Sequence, residues 1–215
     1  ILIDDLVENE SAYKYLVLRI LAAAGLVAGP EAPVTSEAEQ AANAILRGDS
    51  VPIDKDRWWN ASGTGRLTSN GSNHDEKLQH VEDSDAYLKA FQKAYFFTRE
   101  TLGCGGSCDD KNDANLNEAI SGNKDIVFET QGEDIPRWLI QIIPDSYAIK
   151  MAYRVFDHKQ LKESNRQRFR ESVQAFLDDS ANNPAPRLPD LNGLTTKATS
   201  IFSMAKRLKE MHEAL

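Results

Sequence analysis

The stretch KDIVFET at residues 124–130 carries most weight in predicting the fold. Glycines at positions 122 and 132 bound it, and a short apolar run rich in β-branched residues between turn residues is typical of a buried strand. The run ILI at residues 1–3 and the stretch 146–153 are the other two predicted strands. Because helical stretches separate these runs, the sequence predicts an α/β fold, a parallel sheet flanked by helices.

Most of the remaining chain has the periodicity of amphipathic helices. Helices are predicted over residues 11–27, 36–47, 84–100, 135–143, 159–177 and 195–214, with a short helix capped by Asn112 and Asp113 that ends at Gly122. Residues 49–83 show little periodicity and predict a long loop, and residues 183–190 predict a proline-rich loop. Within the long loop, the pair Trp58–Trp59 indicates an anchor to the core or a stacking platform for a base or sugar, and the anchor is favoured.

The composition is that of an ordinary globular chain. Its 215 residues include 25 Lys and Arg against 33 Asp and Glu, a net charge of −8, and 41% are hydrophobic, which is too apolar for a disordered protein. An acidic chain without a basic stripe argues against a nucleic-acid partner, and the lack of a long apolar run argues against a membrane span. Cys104 and Cys108 are predicted to be structural or incidental thiols of a cytoplasmic protein. A redox-labile pair is the alternative, and metal binding is the least favoured because their spacing and the lack of a second ligand pair do not match a zinc site.

We expect a single domain over residues 1–215, with an insertion at about 28–83. Because the chain begins with Ile and not Met, we also expect it to be the later part of a longer protein.

Polar side chains follow each predicted strand, where parallel sheets bind their ligands. They are Asp4 and Asp5, Glu129 and Thr130, and Arg154 with Asp157. Carboxylates at such positions can orient a hydroxyl nucleophile or lie near Mg²⁺, and arginines on a following helix can neutralise a transferred phosphoryl group. Each carboxylate taken singly is also explained by a helix cap or an ion pair.

The order of several segments resembles the zeta-toxin-like P-loop kinases. These segments are ILIDD at 1–5, IVFETQG at 126–132, IPRWL at 135–139, YAIKMAYRVFD at 147–157, NRQR at 165–168 and PAPRLP at 184–189. The resemblance covers residues 1–10 and 100–190, and the insertion has no counterpart in it. It implies a P-loop-kinase-like fold and transfer of phosphate from ATP, with Mg²⁺, to a hydroxyl of a nucleotide sugar or similar small acceptor.

The resemblance also implies a role for individual residues. Asp4 or Asp5 would be the base for the acceptor hydroxyl, and Glu129 would hold the acceptor or the metal. Thr130 would contact the phosphate or the acceptor. The remaining residues are arginines. Arg168 (or Arg166) and Arg187 would stabilise the negative charge of the transferred phosphoryl group.

Two departures from the family pattern support an alternative. The dipeptide Gly-Lys occurs nowhere, so the phosphate-binding motif G-x-x-x-x-G-K-[ST] is missing from this chain and would have to lie upstream. Ser164 stands where the family has an arginine. The alternative is a catalytically inactive kinase-fold protein in a larger assembly, with a protein partner bound through the 49–83 loop and the 195–215 helix. An unrelated α/β protein is a third possibility.

Overall fold

The computed structural model describes residues 3–27, 36–49, 73–102, 108–127, 141–148, 150, 157–193, 203, 204 and 206. Its helices are α1 (Ile3–Asn9), α2 (Ser11–Ala23), α3 (Ser36–Arg47), α4 (His74–Asp83), α5 (Asp85–Phe97), α6 (Cys108–Ser121) and α7 (His158–Asp178). A π-helical turn, Thr98–Leu102, continues α5. These residues are mostly helical and form no sheet, so the predicted α/β fold with a P-loop-kinase-like parallel sheet is wrong for the part of the chain described.

The predicted strands that fall on described residues have other structures. Residue 3 begins α1, whose first turn holds Asp4 and Asp5, where negative charge stabilises a helix N-terminus. Residues 124–127 are irregular, and Val127 is 78% exposed. Residues 145–148 lie in a turn, while 128–130, 149 and 151–153 are outside the described residues. A short β-branched run becomes a strand only when neighbouring strands cover it, and here nothing buries Val127 among the residues described.

Several helix predictions are confirmed. The helices predicted at 11–27, 36–47, 84–100 and 159–177 correspond to α2, α3, α5 and α7. The short helix predicted to end at Gly122 is α6, which begins at Cys108 instead of beside Asn112. The predicted loop at 49–83 is wrong over its last ten residues, which form α4 after Asn73 in the left-handed conformation (φ 72°). Residues 50–72, with the two tryptophans, and most of the predicted last helix lie outside the described ranges.

No helix in the described ranges is long and apolar enough to span a bilayer. The longest, α7, has 21 residues but carries charged side chains along its length.

The chain divides into two compact units. The first consists of Leu2–Asn112 and Arg166–Pro189, and the second of Asp113–Asn165 and Asp190–Leu215 together with Ile1. In the first unit α2 is the central element, packed against α1, α3 and α5. Its apolar side chains form a core with residues of α5 and of the last turns of α7, including Tyr13, Leu16, Ile20, Leu21, Phe91, Phe169 and Phe176. The rings of Phe91 and Phe169 meet edge to face, with centroids 5.8 Å apart.

The segment that follows α7 is fastened to α1 and α2. Residues 184–189 have no regular structure, as predicted, because three prolines cannot donate backbone hydrogen bonds. The Ala185 amide donates to the carbonyl oxygen of Glu8 at 2.8 Å, and the Tyr13 hydroxyl donates to the carbonyl oxygen of Pro186 at 3.2 Å. These two bonds hold the segment that contains residue 187 against α1 and α2.

In the second unit, polar contacts stabilise the end of α6. Lys124 Nζ lies 2.9 Å from Glu118 Oε1, and the Tyr147 hydroxyl donates to the carbonyl oxygen of Lys124 at 3.1 Å. The stretch that begins the predicted strand is therefore tied to a helix end.

Candidate functional site

Asp4 and Arg187, which lie near opposite ends of the chain, form an ion pair in the first unit. The Nη1 atom of Arg187 contacts Oδ2 of Asp4, and the Tyr95 hydroxyl donates a hydrogen bond to Oδ1 of the same carboxylate. The guanidinium carbon of Arg187 also lies 4.3 Å from the centroid of the Tyr95 ring, within cation–π range. Each of these three side chains therefore contacts the other two.

Glu8 and Tyr13 lie beside these three side chains. We call the five residues together the Asp4–Arg187 cluster: Asp4, Glu8, Tyr13, Tyr95 and Arg187. Glu8 follows Asp4 by four positions, so the two carboxylates lie on the same face of α1. Tyr13 of α2 is fully buried, and its ring meets that of Tyr95 edge to face with centroids 6.2 Å apart. The cluster is thus built from α1, α2, α5 and the proline-rich segment.

Glu8 has an unusual proton affinity. Its side chain is half-buried, and this burial, with a smaller contribution from the neighbouring Asp4 charge, raises its pKa to about 7. The positive charge of Arg187 opposes the rise, and Asp5 adds slightly to it. A carboxyl group that titrates near neutral pH beside an arginine is typical of functional sites, although structural clusters also produce such shifts.

The two tyrosines are hydrogen-bond donors. Burial raises the pKa of Tyr13 far above its ordinary value, with a smaller contribution from Glu8. Burial also raises the pKa of Tyr95, and its hydrogen bond to Asp4 adds to the effect. Both phenols are therefore protonated at physiological pH, and they orient the carboxylate of Asp4 and the backbone of Pro186.

The ion pair is open to solvent on one side. The side chain of Asp4 is 46% exposed and that of Arg187 is 38% exposed. A guanidinium in this position can bind a carboxylate or phosphate through two parallel hydrogen bonds, and a carboxylate can accept a proton. The arrangement is therefore able to hold an anionic group and to receive a proton within one small region.

The other residues predicted for the site lie elsewhere. Asp5 is exposed on α1, and Arg168 is exposed on α7. Arg166 Nη2 lies 2.8 Å from Asp83 Oδ1, in a separate cluster between α4 and α7. Glu129 and Thr130 are outside the described residues. Of the seven predicted site residues, Asp4 and Arg187 are the pair for which contact is seen.

The cluster between α4 and α7 has a structural role. The Glu82 side chain is fully buried, and the Arg170 guanidinium binds both of its oxygens, from Nε to Oε1 at 2.6 Å and from Nη2 to Oε2 at 2.8 Å. The same Nη2 donates to Gln79 Oε1 at 2.7 Å. Arg170 pairs with Glu82 and Arg166 pairs with Asp83, so these two ion pairs fasten α7 to α4, while Arg166 Nε is buried 3.9 Å from Glu82 Oε2 without a hydrogen bond.

Glu8, Tyr13 and Tyr95 were missed by the reasoning from sequence. The spacing of Asp4 and Glu8 by four residues would indicate a shared face, but only if residues 1–3 are not taken as a strand. Tyr95 belongs to the apolar face of the predicted 84–100 helix, where a tyrosine is indistinguishable from a core residue until its neighbours are known.

Among the described residues, no group of three or more His, Cys, Asp or Glu side chains is placed to hold a metal ion. The Mg²⁺ implied by the resemblance is thus not matched by a set of ligands in these ranges, and no step below is assigned to it.

Comparisons with protein families, with curated proteins and with solved structures find no match for this chain. The kinase resemblance therefore depends on the motifs quoted above.

Proposed function

We propose that the chain takes part in phosphoryl transfer from ATP to a hydroxyl of a small acceptor, such as a nucleotide sugar. The observation that carries this proposal is the contact of Asp4 with Arg187, a partly exposed carboxylate and guanidinium from distant parts of the sequence. The kinase resemblance implies that Asp4 or Asp5 is the proton acceptor and that Arg187 supplies charge to the phosphoryl group, and a single reaction requires these two groups to be close together.

The proposed step gives each of these groups a role. The acceptor oxygen forms a bond to the γ-phosphorus, the bond from this phosphorus to the β–γ bridging oxygen breaks, and ADP leaves. The hydroxyl proton passes to the carboxylate of Asp4. Arg187 supplies positive charge to the phosphoryl oxygens, where charge is spread during transfer. Tyr95 orients the Asp4 carboxylate through its hydroxyl.

Binding of ATP is the part of the reaction that this sequence leaves open. Without the dipeptide Gly-Lys, the 215 residues lack the loop whose amides and lysine surround the phosphates of ATP in P-loop proteins. The proposal therefore requires that loop to come from outside these residues, in the native protein or in a partner.

A second candidate function is favoured by the same contacts. Asp4 already has two partners, Tyr95 and Arg187, as expected for a structural ion pair, and the described ranges contain no sheet. In this alternative the chain is a binding or structural component of a larger assembly, and the cluster fastens the 184–189 segment to α1.

The test is transfer of labelled γ-phosphate from ATP to a nucleotide sugar by the protein as its source makes it. Removing a general base typically costs a factor of about 100 or more in rate, so Asp4→Asn should lose at least that much, and Arg187→Gln should lose a similar factor. Asp5→Asn and Arg168→Gln are matched controls, because both residues are exposed, and they should retain activity.

The outcomes separate the two candidates. If the unmodified protein transfers no phosphate to any acceptor tested, the proposed phosphoryl transfer is wrong, and the binding or structural role is the candidate that remains. If it transfers phosphate but Asp4→Asn is fully active, Asp4 is not the base. Melting curves of every variant establish that a loss of activity is not a loss of folding.

A further inference from the structure

Glu8 lies where the first helix meets the segment that carries Arg187. Its carbonyl oxygen accepts the Ala185 amide at 2.8 Å, so the residue is part of the attachment of this segment. The charged and titratable groups around its side chain are Asp4 and Asp5 from α1, Tyr13 from α2 and Arg187, and next to these lies Tyr95 of α5, which Arg99 also influences.

We propose that binding of a phosphate-type anion at Arg187 is coupled to the uptake of one proton by Glu8. This inference rests on the proposed function and specifies its acceptor: a ligand that presents a diphosphate or phosphodiester anion, as a nucleotide sugar does. Glu8 would then decide at which pH the site accepts its ligand.

The charges of the cluster give the reason for the coupling. With Glu8 ionised, the carboxylates of Asp4 and Glu8, four residues apart on one face of α1, share one guanidinium, that of Arg187, which contacts Asp4 directly and also acts on the charge of Glu8. An incoming anion must then share Arg187 with Asp4 and is repelled by Glu8 across a half-buried region, where water screens the repulsion less than in bulk solvent. When Glu8 is neutral, this repulsion disappears, so the form with protonated Glu8 is the one that binds.

The magnitude follows from the fraction of protein in the binding form. Because the pKa of Glu8 is about 7, the protonated fraction falls from about 90% at pH 6 to about 10% at pH 8. With full coupling, the apparent Kd for the anion rises about tenfold over this interval, since it is divided by that fraction. The sign is that of an acid that must be protonated: binding is tight at low pH and weakens as pH rises through 7.

The probe is UDP-glucose. Its diphosphate bridge does not titrate between pH 6 and 8, so any change in affinity over this range comes from titration of groups on the protein. Calorimetric titrations of the 215-residue chain are made at constant ionic strength at about pH 6, 7 and 8, and in two buffers of different ionisation enthalpy at pH 7. We expect about tenfold weaker binding at pH 8 than at pH 6, and proton uptake of about one-half per ligand at pH 7.

Variants assign the proton to Glu8 and the anion to Arg187. Glu8→Gln stays neutral, so its Kd should be independent of pH and equal to that of the unmodified chain at pH 6, with no proton uptake. Arg187→Gln should lose binding at every pH, and the control Arg168→Gln should retain both the affinity and its pH dependence.

Failure of the coupling and failure of the proposed function give different results. If the chain binds UDP-glucose through Arg187 with the same Kd at pH 6 and 8 and takes up no proton, the coupling is wrong and the proposed acceptor site stands. If the chain does not bind the probe at pH 6, or if Arg187→Gln binds normally, both are wrong. The proton count on the unmodified chain decides the matter even if Glu8→Gln fails to fold.

Discussion

Replacement of Glu8 by glutamine should remove a defined part of the pH dependence of stability. Burial in the folded chain raises the pKa of Glu8 from 4.5 to about 7. The folded state therefore favours the protonated form, and this contribution to stability is fully present below pH 4.5 and is lost as pH rises to about 7. Above pH 7 the contribution is constant.

The size of the effect follows from the shift. At about 1.4 kcal/mol for each tenfold change in proton affinity, a rise in pKa from 4.5 to about 7 corresponds to at most about 3.5 kcal/mol in the free energy of unfolding. The side chain is only half-buried, and solvent screening reduces the figure to about 2 kcal/mol. For a chain of this length, that difference corresponds to roughly 4–8 °C in Tm.

The assay is urea unfolding followed by circular dichroism at about pH 5 and about pH 8. The quantity of interest is the difference in unfolding free energy between the unmodified chain and Glu8→Gln, which should change by about 2 kcal/mol between the two pH values. Glu76→Gln is the control, because Glu76 is an exposed glutamate in the same unit, and its difference in unfolding free energy should change by much less than that of Glu8→Gln. If Glu8→Gln has the same pH dependence as the unmodified chain, the account of Glu8 is refuted.

Three further predictions test the core and the charge clusters. Phe91→Ala empties a buried position and should lower the free energy of unfolding by about 3–5 kcal/mol, whereas Phe96→Ala, at a residue 49% exposed whose ring meets that of Tyr95, should lower it by about 1 kcal/mol. Similar losses in urea unfolding would contradict the assigned core. Arg170→Met leaves the Glu82 carboxylate buried without its bidentate partner and should cost about 3–5 kcal/mol, most of which Glu82→Leu in the same chain should restore. A larger loss in the double variant would exclude this explanation. Tyr95→Phe keeps the ring but removes the hydroxyl that binds the α1 carboxylate, so it should cost about 1 kcal/mol. An unchanged melting temperature would show that this hydrogen bond adds nothing to stability.

The helices could be predicted because their signal is local. In α2, α3, α5 and α7 the apolar side chains recur at helical spacing, and this pattern is present in the sequence whatever the rest of the chain does. The structure of the run at 124–130, in contrast, depends on what packs beside it. A β-branched stretch becomes a strand only beside other strands, and the described part of this one has Val127 in solvent.

Some residues of the candidate site could likewise be predicted from the sequence, and others could not. Asp4 and Arg187 were selected from the sequence because two motifs at distant positions occur in a particular order. Glu8 and Tyr95 could not be selected, because their importance comes from packing: the pKa of Glu8 depends on its burial beside Asp4, and the role of Tyr95 depends on a hydroxyl that reaches another helix. Such properties are absent from any local pattern.

The measurement that tests the central claim most directly is a double-mutant cycle between Asp4 and Arg187. The unmodified chain, Asp4→Asn, Arg187→Gln and the double variant are compared by urea unfolding at pH 7, with Asp5→Asn and Arg168→Gln as the control pair. A partly exposed ion pair should give a coupling energy of about 1 kcal/mol, and the control pair should be additive. Additive losses for Asp4 and Arg187 would show that the two side chains do not interact in solution, and they would contradict the site on which both proposals depend.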